Sequence, residues 1–310
     1  MARSLSAVVV TLLSGCAVNQ GAVIQGGEQE AERVPGLYPC SARGPGAVEL
    51  DPTRPLTVLV HGCRSSGERF KTLSQVFEAH GQQTICFNYN DRDSINTSAT
   101  QLASALSSLQ RRLLPQELTV LGHSQGGLIS RRALQADLPR PLVTREGFTY
   151  RLVTVSAPFA GINSSADCGK TWLHVLSLSI TVGVCLAVTG NKWTEIPPGS
   201  RFLKNATPLV GTRHLQIVTD ERESCRTRRA DGTCEVDDFV FGLDEQDSSV
   251  VDASANITQV QVRAGHAAVV GEDGAPPLLL IDVLQQQGVL AQTPVNAQGA
   301  VSELLSRLYR

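Results

Sequence analysis

Residues 118–127 of this chain, LTVLGHSQGG, contain the feature that decides its fold. Residues 118–121 form a continuous apolar run, which is typical of a parallel strand buried on both faces. The run leads directly into Gly122-His123-Ser124-Gln125-Gly126, and a helical pattern begins there. A sharp turn from strand to helix needs small residues on either side of the serine, because a Cβ would collide with the neighbouring element. This pattern predicts that Ser124 is an exposed nucleophile.

The rest of the chain repeats the alternation of strand and helix. Buried-strand patterns are predicted at residues 56–60, 83–89, 118–121 and 149–155. Amphipathic helical patterns are predicted at 68–80, 95–113 and 126–138, and a closing helix at 277–287. Strand character returns at 213–219 and 256–263. This order, with short connections, predicts an α/β fold with a doubly wound, mostly parallel sheet.

Two segments interrupt that alternation. Residues 159–207 contain no clear strand but include an apolar stretch at 172–188. Because His174 and other polar residues break the stretch, it predicts a helical lid over an apolar pocket rather than a membrane span. A polar insertion follows at about 221–240.

The general base that a serine nucleophile needs is predicted to follow the last strand. Of six histidines, only His266 occupies that place. The acid that orients the imidazole is expected before that strand, and Asp247 is the preferred candidate. Asp220, which ends the 213–219 strand, is the competitor, and Asp244 is a distant third.

Main-chain N–H groups are expected to stabilise the oxyanion of an acyl-transfer reaction. Cys63 follows His61-Gly62 at the end of the strand at 56–60, and Gln125 follows the serine. Both residues are predicted to donate through the backbone. His61 is interpreted as a structural histidine that braces the loop.

The N-terminus predicts export. Residues 1–15 contain a charged start and a short apolar core, which is typical of a signal peptide and too short to span a bilayer. Leu13-Ser14-Gly15-Cys16 resembles the lipobox of bacterial lipoproteins, an ordinary secretory signal being the alternative. The resemblance implies lipidation at Cys16, and Ala17 after it implies the outer membrane. The predicted divisions are a signal peptide at 1–15, a flexible tether at 16–35 and a catalytic domain at 36–310.

The other seven cysteines suit an oxidising compartment. Cys225 and Cys234 flank a turn with Asp-Gly, which favours a bridge across a hairpin. Cys168 and Cys185 lie on either side of part of the 159–207 segment and are the next expected pair. Three cysteines remain, of which two can pair and one must stay free, and the sequence does not decide between them: Cys40, Cys63 and Cys86.

The composition indicates which classes of partner and ligand to expect. A net charge of -2 and 18% charged residues give no broad basic face, so nucleic acid is not expected as a partner. The chain contains neither a CxxC pair nor an HExxH sequence, so no metal site and no cofactor are predicted. A small-molecule or lipid ester substrate is expected, with membrane anchoring through Cys16.

The combined motifs resemble those of bacterial lipases and esterases of the α/β-hydrolase superfamily. The matching residues span about 55–285 and are His61-Gly62, Gly122 to Gly127, Ser156-Ala157-Pro158, Pro198-Gly199-Ser200-x-Phe202-Leu203, Asp247-x-x-Val250 and Gly265-His266. The resemblance implies hydrolysis of a lipid-like carboxylic ester through a serine ester intermediate. A phospholipase or lipid acyltransferase with the same triad is the alternative, as is a non-catalytic binding lipoprotein that retains the fold.

Overall fold

A computed structural model describes residues 21–26, 30–41, 46–138, 142, 146–169, 190–272 and 274–310. The strands are β1 (Gly21–Gln25), β2 (Glu32–Pro35), β3 (Leu37–Tyr38), β4 (Ala47–Glu49), β5 (Leu56–Val60), β6 (Gln83–Phe87), β7 (Glu117–His123), β8 (Thr149–Val155), β9 (Arg213–Asp220), β10 (Cys225–Arg228), β11 (Cys234–Asp237) and β12 (Ile257–Arg263). The six strands predicted from the sequence correspond to β5 to β9 and β12, with ends that differ by at most two residues.

The helices lie mostly between these strands. They are α1 (Lys71–Ala79), α2 (Ile95–Leu113), α3 (Gln125–Ala133), α4 (Arg201–Lys204), α5 (Leu243–Gln246), α6 (Ser249–Asp252), α7 (Leu278–Gln286) and α8 (Gln298–Leu308). Short 3₁₀ turns lie at Gly67–Phe70, Asn163–Gly169, Gly190–Thr194, Ala268–Val270 and Val295–Ala297. The longest helix, α2, begins where the Ser94 side chain accepts a hydrogen bond from the Thr97 amide, an N-cap typical of serine.

The main sheet of the described chain has seven strands in the order β12-β9-β8-β7-β5-β6-β3. Its neighbours pair in parallel except for β3, which is antiparallel to β6. This confirms the doubly wound, mostly parallel sheet. Parallel strands end at a common edge, so the residues after β5, β7, β8, β9 and β12 converge there.

Apolar layers cover both faces of the sheet. One contains Leu102 and Leu106 of α2 with Leu128 of α3, and the other contains Leu73 of α1 with Leu284 of α7. All five leucines are at most 3% exposed. Burial of each such side chain contributes about 1.5–3 kcal/mol to folding. The two layers hold the strand ends, and therefore the loops that follow them, in place.

The prediction of a flexible tether at 16–35 is wrong for the residues of that range that the structure describes, 21–26 and 30–35. Strands β1 and β2 pair with each other, and β4 pairs in parallel with β1. Ala22, Ile24 and Val34 are at most 1% exposed. Their apolar side chains pack into the core, so the folded domain includes β1 and β2. The predicted signal peptide and Cys16 lie outside the described residues.

The polar insertion contains a hairpin of β10 and β11, closed by the expected disulfide between Cys225 and Cys234. A second disulfide joins Cys40 to Cys86, and Cys63 is free and exposed. The expected Cys168–Cys185 bridge lies outside the described residues, because Cys185 is not among them. Most of the predicted lid, residues 170–189, is likewise outside.

In the part of the chain that the structure describes, no helix combines the length and apolar character needed to cross a bilayer. No group of three or more histidine, cysteine, aspartate or glutamate side chains there could hold a metal ion.

Candidate active site

Ser124 occupies a strained turn at the end of the central strand. It lies between β7 and α3 with φ 54° and ψ -126°, a conformation that is costly for a residue with a side chain. Its amide donates to the Val155 carbonyl at 2.9 Å. A Cβ on Gly122 would lie 2.4 Å from the Gly126 oxygen, and one on Gly126 would lie 2.3 Å from the Val60 oxygen. The glycines are therefore required, as the sequence motif predicted.

The loop after β5 packs directly against the serine. A Cβ on Gly62 would lie 3.0 Å from Ser124 Cβ, a tight contact that would push the loop away from the serine. Neither the Cys63 amide nor the Gln125 amide is hydrogen bonded to any residue that the structure describes. Two free N–H groups therefore lie on the two loops that meet at Ser124, one of them at the N-terminus of α3. These are the two predicted oxyanion donors.

His266 follows β12 and lies beside the turn that carries Ser124. The rings of His266 and His123 are 4.8 Å apart, and His123 Nε2 lies 2.9 Å from the His266 carbonyl oxygen. Since His123 directly precedes Ser124, these contacts bring the imidazole of His266 next to the nucleophile's turn. Phe241 packs edge-on against the same ring at 4.8 Å.

The carboxylate beside the His266 ring is that of Glu221. Its Oε1 lies 2.8 Å from Nδ1 of His266, and its side chain is 0% exposed. The hydrogen bond engages Nδ1 and leaves Nε2 for the serine, which is the division of roles in a catalytic triad. Glu221 follows β9, so the chain order of serine, acid and histidine is the one that the sequence predicted.

The expectation that Asp247 orients the histidine is wrong. Asp247 is exposed and accepts a hydrogen bond from Gln259 Nε2 at 2.8 Å. Gln259 lies four residues before the end of β12, about 13 Å from the edge where the catalytic loops meet, at about 3.3 Å per residue. Asp247 therefore flanks the middle of the strand. The third candidate, Asp244, is exposed on α5.

The structure likewise does not place the Asp220 carboxylate, the competitor, on the His266 ring. It pairs with Arg222, whose Nε and Nη2 each lie 2.7 Å from its carboxylate. That hydrogen bonding lowers the pKa of Asp220 to about 2. Because consecutive side chains of a strand point to opposite faces, Asp220 points toward Arg222 while Glu221 points toward the imidazole.

Both oxygens of the Glu221 carboxylate accept hydrogen bonds. Oε1 accepts from the Ser156 hydroxyl at 2.6 Å, and Thr219 Oγ1 lies 3.0 Å away. Oε2 accepts from the amides of Val240 at 2.7 Å and Phe241 at 3.2 Å. Burial alone would raise the pKa of Glu221, but the hydrogen bonds and the neighbouring imidazole outweigh it and hold the pKa below its usual value. Glu221 therefore stays ionised at neutral pH.

Ser156 bridges Glu221 and His266. Its Oγ lies 3.0 Å from Nδ1 of His266 as well as 2.6 Å from Glu221, and the residue is 0% exposed. Its φ is 49°, so the turn after β8 is strained in the same sense as that of Ser124. Unfavourable backbone conformations that persist in a core tend to mark functional positions.

The other two histidines near the site are structural. His61 stacks on Tyr89 with ring centres 4.3 Å apart, and its Nδ1 lies 2.8 Å from the Gly62 oxygen. Burial lowers the pKa of His61 and lowers that of His123 well below the usual range. Both rings are therefore neutral and brace the loops, as was interpreted for His61.

Asp238 fixes the loop that carries the base. Its carbonyl accepts from the His266 amide at 2.9 Å, and its carboxylate accepts from the amides of Ala267 and Ala268, each at 3.0 Å. Arg226 of the hairpin pairs with the same carboxylate at 2.8 Å. The disulfide-bearing insertion is thus attached directly to the catalytic loop.

Glu221 is not among the residues predicted from the sequence, and Ser156 appears there only within the Ser156-Ala157-Pro158 motif. The sequence does contain a signal for Glu221, because it directly follows Asp220, a candidate acid at the end of β9. A glutamate can act as the acid of such a triad. The face on which each of two adjacent carboxylates lies is not visible in the sequence.

Known proteins match parts of the chain. A family model described as palmitoyl protein thioesterase matches residues 56–208. The lysosomal thioesterase PPT2 homolog of Drosophila melanogaster is 30% identical over 124 residues, which cover 38% of this chain and 39% of that protein. The matched part thus spans well under half of the relative's length.

Solved structures share the architecture. The lipase BlEst2 of Bacillus licheniformis in its propeptide form has a TM-score of 0.51 at 15% identity, covering 78% of this chain and 51% of that one. Its mature form has a TM-score of 0.49 at 14% identity, covering 76% and 93%. At these identities the likeness concerns the fold alone.

Proposed function

Since the chain belongs to the α/β-hydrolase superfamily, we propose that it is a serine hydrolase of lipid-like acyl esters, with Ser124, His266 and Glu221 as its triad. The observation on which this proposal rests is the pairing of a buried, ionised Glu221 with His266 beside a strained serine turn. A structural ion pair does not require a serine with positive φ next to it, whereas a nucleophile does.

The mechanism follows from these positions. Nε2 of His266 removes the proton as Ser124 Oγ attacks the acyl carbonyl carbon, and Glu221 stabilises the imidazolium that forms. The amides of Cys63 and Gln125 hold the oxyanion of the tetrahedral intermediate. When the bond to the leaving group breaks, His266 returns the proton to the departing alcohol or thiol. The same base then activates water, which releases the carboxylic acid and restores the serine.

The first experiment identifies the nucleophile. A fluorophosphonate probe is expected to label the wild-type protein and to leave Ser124→Ala unlabelled. Turnover of an acyl ester is expected to fall by about 10⁶ in that variant, by analogy with the dissection of serine triads. Melting temperature and circular dichroism establish that Ser124→Ala is folded. Ester hydrolysis that persists in the folded variant contradicts the proposal.

Thioesters are the acyl class that the family match favours over oxygen esters. A thiol has a pKa near 8.5 and leaves more readily than an alcohol, so the leaving group needs less help from His266. The comparison is kcat/KM for the thioester S-ethyl thiopalmitate against its oxygen analogue ethyl palmitate, each repeated with the C4 acyl chain. A higher value for the thioester at equal chain length supports a thioesterase, and the reverse supports an oxygen esterase or lipase.

Two rival functions give different results in the same assays. An acyltransferase with this triad would transfer the acyl group to an added alcohol in preference to water, which product analysis with glycerol as acceptor detects. A non-catalytic binding protein would resist the fluorophosphonate probe altogether. The free amides of Cys63 and Gln125 favour catalysis, because a binding protein has no need of unpaired donors beside a serine.

We also propose that the chain is exported and lipidated at Cys16 by a bacterial outer-membrane lipoprotein pathway. The two disulfide bonds, Cys40–Cys86 and Cys225–Cys234, support export because such bonds persist in oxidising compartments. In a Gram-negative host, radiolabelled palmitate is expected to be incorporated into the wild-type protein but not into Cys16→Ser. Equal incorporation in both contradicts lipidation at this position.

A further inference from the structure

A buried lysine contacts both loops of the oxyanion hole. Lys192 lies in the 3₁₀ turn Gly190–Thr194 and is 3% exposed. Its Nζ donates to Gln125 Oε1 at 2.5 Å and to the Asp91 carbonyl, and lies 3.3 Å from Cys63 Sγ. Gln125 and Cys63 are the two residues whose free amides lie beside Ser124. The ammonium is therefore placed on the oxyanion side of the nucleophile.

The immediate partners of this charge are all neutral. Among the described residues they are a carbonyl, a side-chain amide oxygen and a thiol, and no carboxylate there forms an ion pair with Lys192. The carboxylate of Asp91 is near enough to interact electrostatically with Lys192, but it is not in contact with Nζ and accepts instead from the Arg64 amide at 2.7 Å and the Cys63 thiol at 3.4 Å. Buried lysines without a carboxylate in direct contact are rare, because removing the charge from water is costly. An anion that forms during the reaction would complete the site.

Anchoring of the segment does not explain the lysine. The backbone of residues 190–191 already docks on the loop after β6, where the Asn191 amide donates to the Arg92 carbonyl at 2.6 Å. Glu195, three residues after Lys192, accepts a hydrogen bond from the Ile95 amide at 2.5 Å and another from Asn96 Nδ2 at 2.9 Å. Both donors lie at the start of α2. These contacts hold the segment without Lys192.

We propose that Lys192 is a positioning residue of the oxyanion hole, and this rests on the proposed function. Its ammonium fixes the side chain of Gln125 and the loop of Cys63, which sets where their amides point. It also places a positive charge beside the position where the carbonyl oxygen becomes negative. Because the substrate carbonyl is neutral and the tetrahedral intermediate is not, the charge stabilises the transition state more than the bound substrate.

The test compares Lys192→Met and Lys192→Gln with the matched control Glu195→Gln, which loosens the same segment without touching the oxyanion side. Both lysine variants are expected to lower kcat about 10- to 100-fold with KM within about twofold, below the 10²–10³ lost with a direct oxyanion donor. Affinity for an acyl trifluoromethyl ketone, which forms a tetrahedral adduct with serine, is expected to weaken by a similar factor. Glu195→Gln is expected to keep kcat within about threefold.

Three results would overturn the role of Lys192: an unchanged kcat in both lysine variants, a loss confined to KM, or an equal loss of kcat in Glu195→Gln. Lys192→Gln covers the case in which the methionine variant does not fold, and melting temperatures identify that case. Failure of the proposed function itself is recognised separately, because wild-type protein would then resist the fluorophosphonate probe or Ser124→Ala would still be labelled.

Discussion

Nδ1 of His266 and Oε1 of Glu221 are 2.8 Å apart, with the carboxylate completely buried at the carboxyl end of β9. The pair joins the last two parallel strands of the sheet, because His266 follows β12 and β12 pairs with β9 along its whole length. Residues 221 and 266 therefore meet although 45 positions separate them. The position of the acid decides which carboxylate variants will lose activity.

Replacing Glu221 is expected to have a far larger effect than replacing Asp247. In Glu221→Gln the side-chain amide cannot stabilise the imidazolium or secure its tautomer, so kcat is expected to fall by about 10⁴. Asp247→Asn changes an exposed residue and is expected to keep kcat within about twofold. Steady-state kinetics on a short-chain ester measure both. If Asp247→Asn is the variant that loses activity, the assignment of the acid is wrong.

Removing the Ser156 hydroxyl is expected to weaken the acid without removing it. Ser156→Ala deprives Glu221 of a charge-assisted hydrogen bond, and kcat is expected to fall about 10-fold. Ser156→Gly removes the same hydroxyl but suits a φ of 49°, so it is expected to be more stable than the alanine variant by about 1 kcal/mol. If the two variants lose the same factor in kcat but unfold at different urea concentrations, the loss of activity is due to the missing hydroxyl and the difference in stability to the backbone strain. Wild-type kcat in both variants would exclude a role for the hydroxyl.

The two disulfides are expected to contribute unequally to stability. Cys40–Cys86 closes a loop of 46 residues and Cys225–Cys234 one of 9, and the entropy removed from the unfolded chain grows with loop length. Replacing both cysteines with serine is expected to cost about 4 kcal/mol for the first pair and about 3 kcal/mol for the second. Urea unfolding of the two double variants measures the difference. A larger loss for the hairpin pair would show that native contacts, rather than loop closure, dominate.

The free energy of unfolding is expected to decrease as the pH is lowered below 6.5, at pH values still above those at which most carboxylates take up protons. Burial, followed by the charge of Arg131, lowers the pKa of His214 from 6.5 to about 3. The unfolded chain therefore binds a proton that the folded chain does not. The stabilising contribution of neutral His214 is complete above pH 6.5 and is lost progressively as pH falls toward 3, at up to about 1.4 kcal/mol per pH unit. His123 acts in the same direction.

The variant His214→Gln tests this dependence while keeping a polar partner for Thr154, whose Oγ1 lies 2.9 Å from His214 Nε2. Urea unfolding between pH 6.5 and 5 is expected to show a shallower loss of stability in the variant than in the wild type. Glu221, with a pKa held below its usual 4.5, contributes only at lower pH, and the other titrating groups are shared by both proteins, so the difference between the two curves reports His214. Parallel curves for the two proteins would contradict the prediction.

Most of the fold follows from local patterns. The helix at Ile95–Leu113 and the strands Leu56–Val60 and Thr149–Val155 begin and end where the sequence predicted. Continuous apolar runs and helical periodicity determine such elements. The strands β1 and β2 were not predicted, because each is short and depends for its burial on distant elements, including β4 and α2.

Sequence by itself determined the turn at Ser124, the place of His266 after the last strand and the hairpin with its disulfide, because each depends on residues adjacent along the chain. Only the tertiary structure decided which carboxylate lies beside His266, the Cys40–Cys86 pairing and the position of Lys192. Asp220 and Glu221 are neighbours in sequence but face opposite ways, and the face that meets His266 depends on where β9 ends relative to β12. The contacts of Lys192 with Gln125 and Cys63 likewise join segments that only packing brings together.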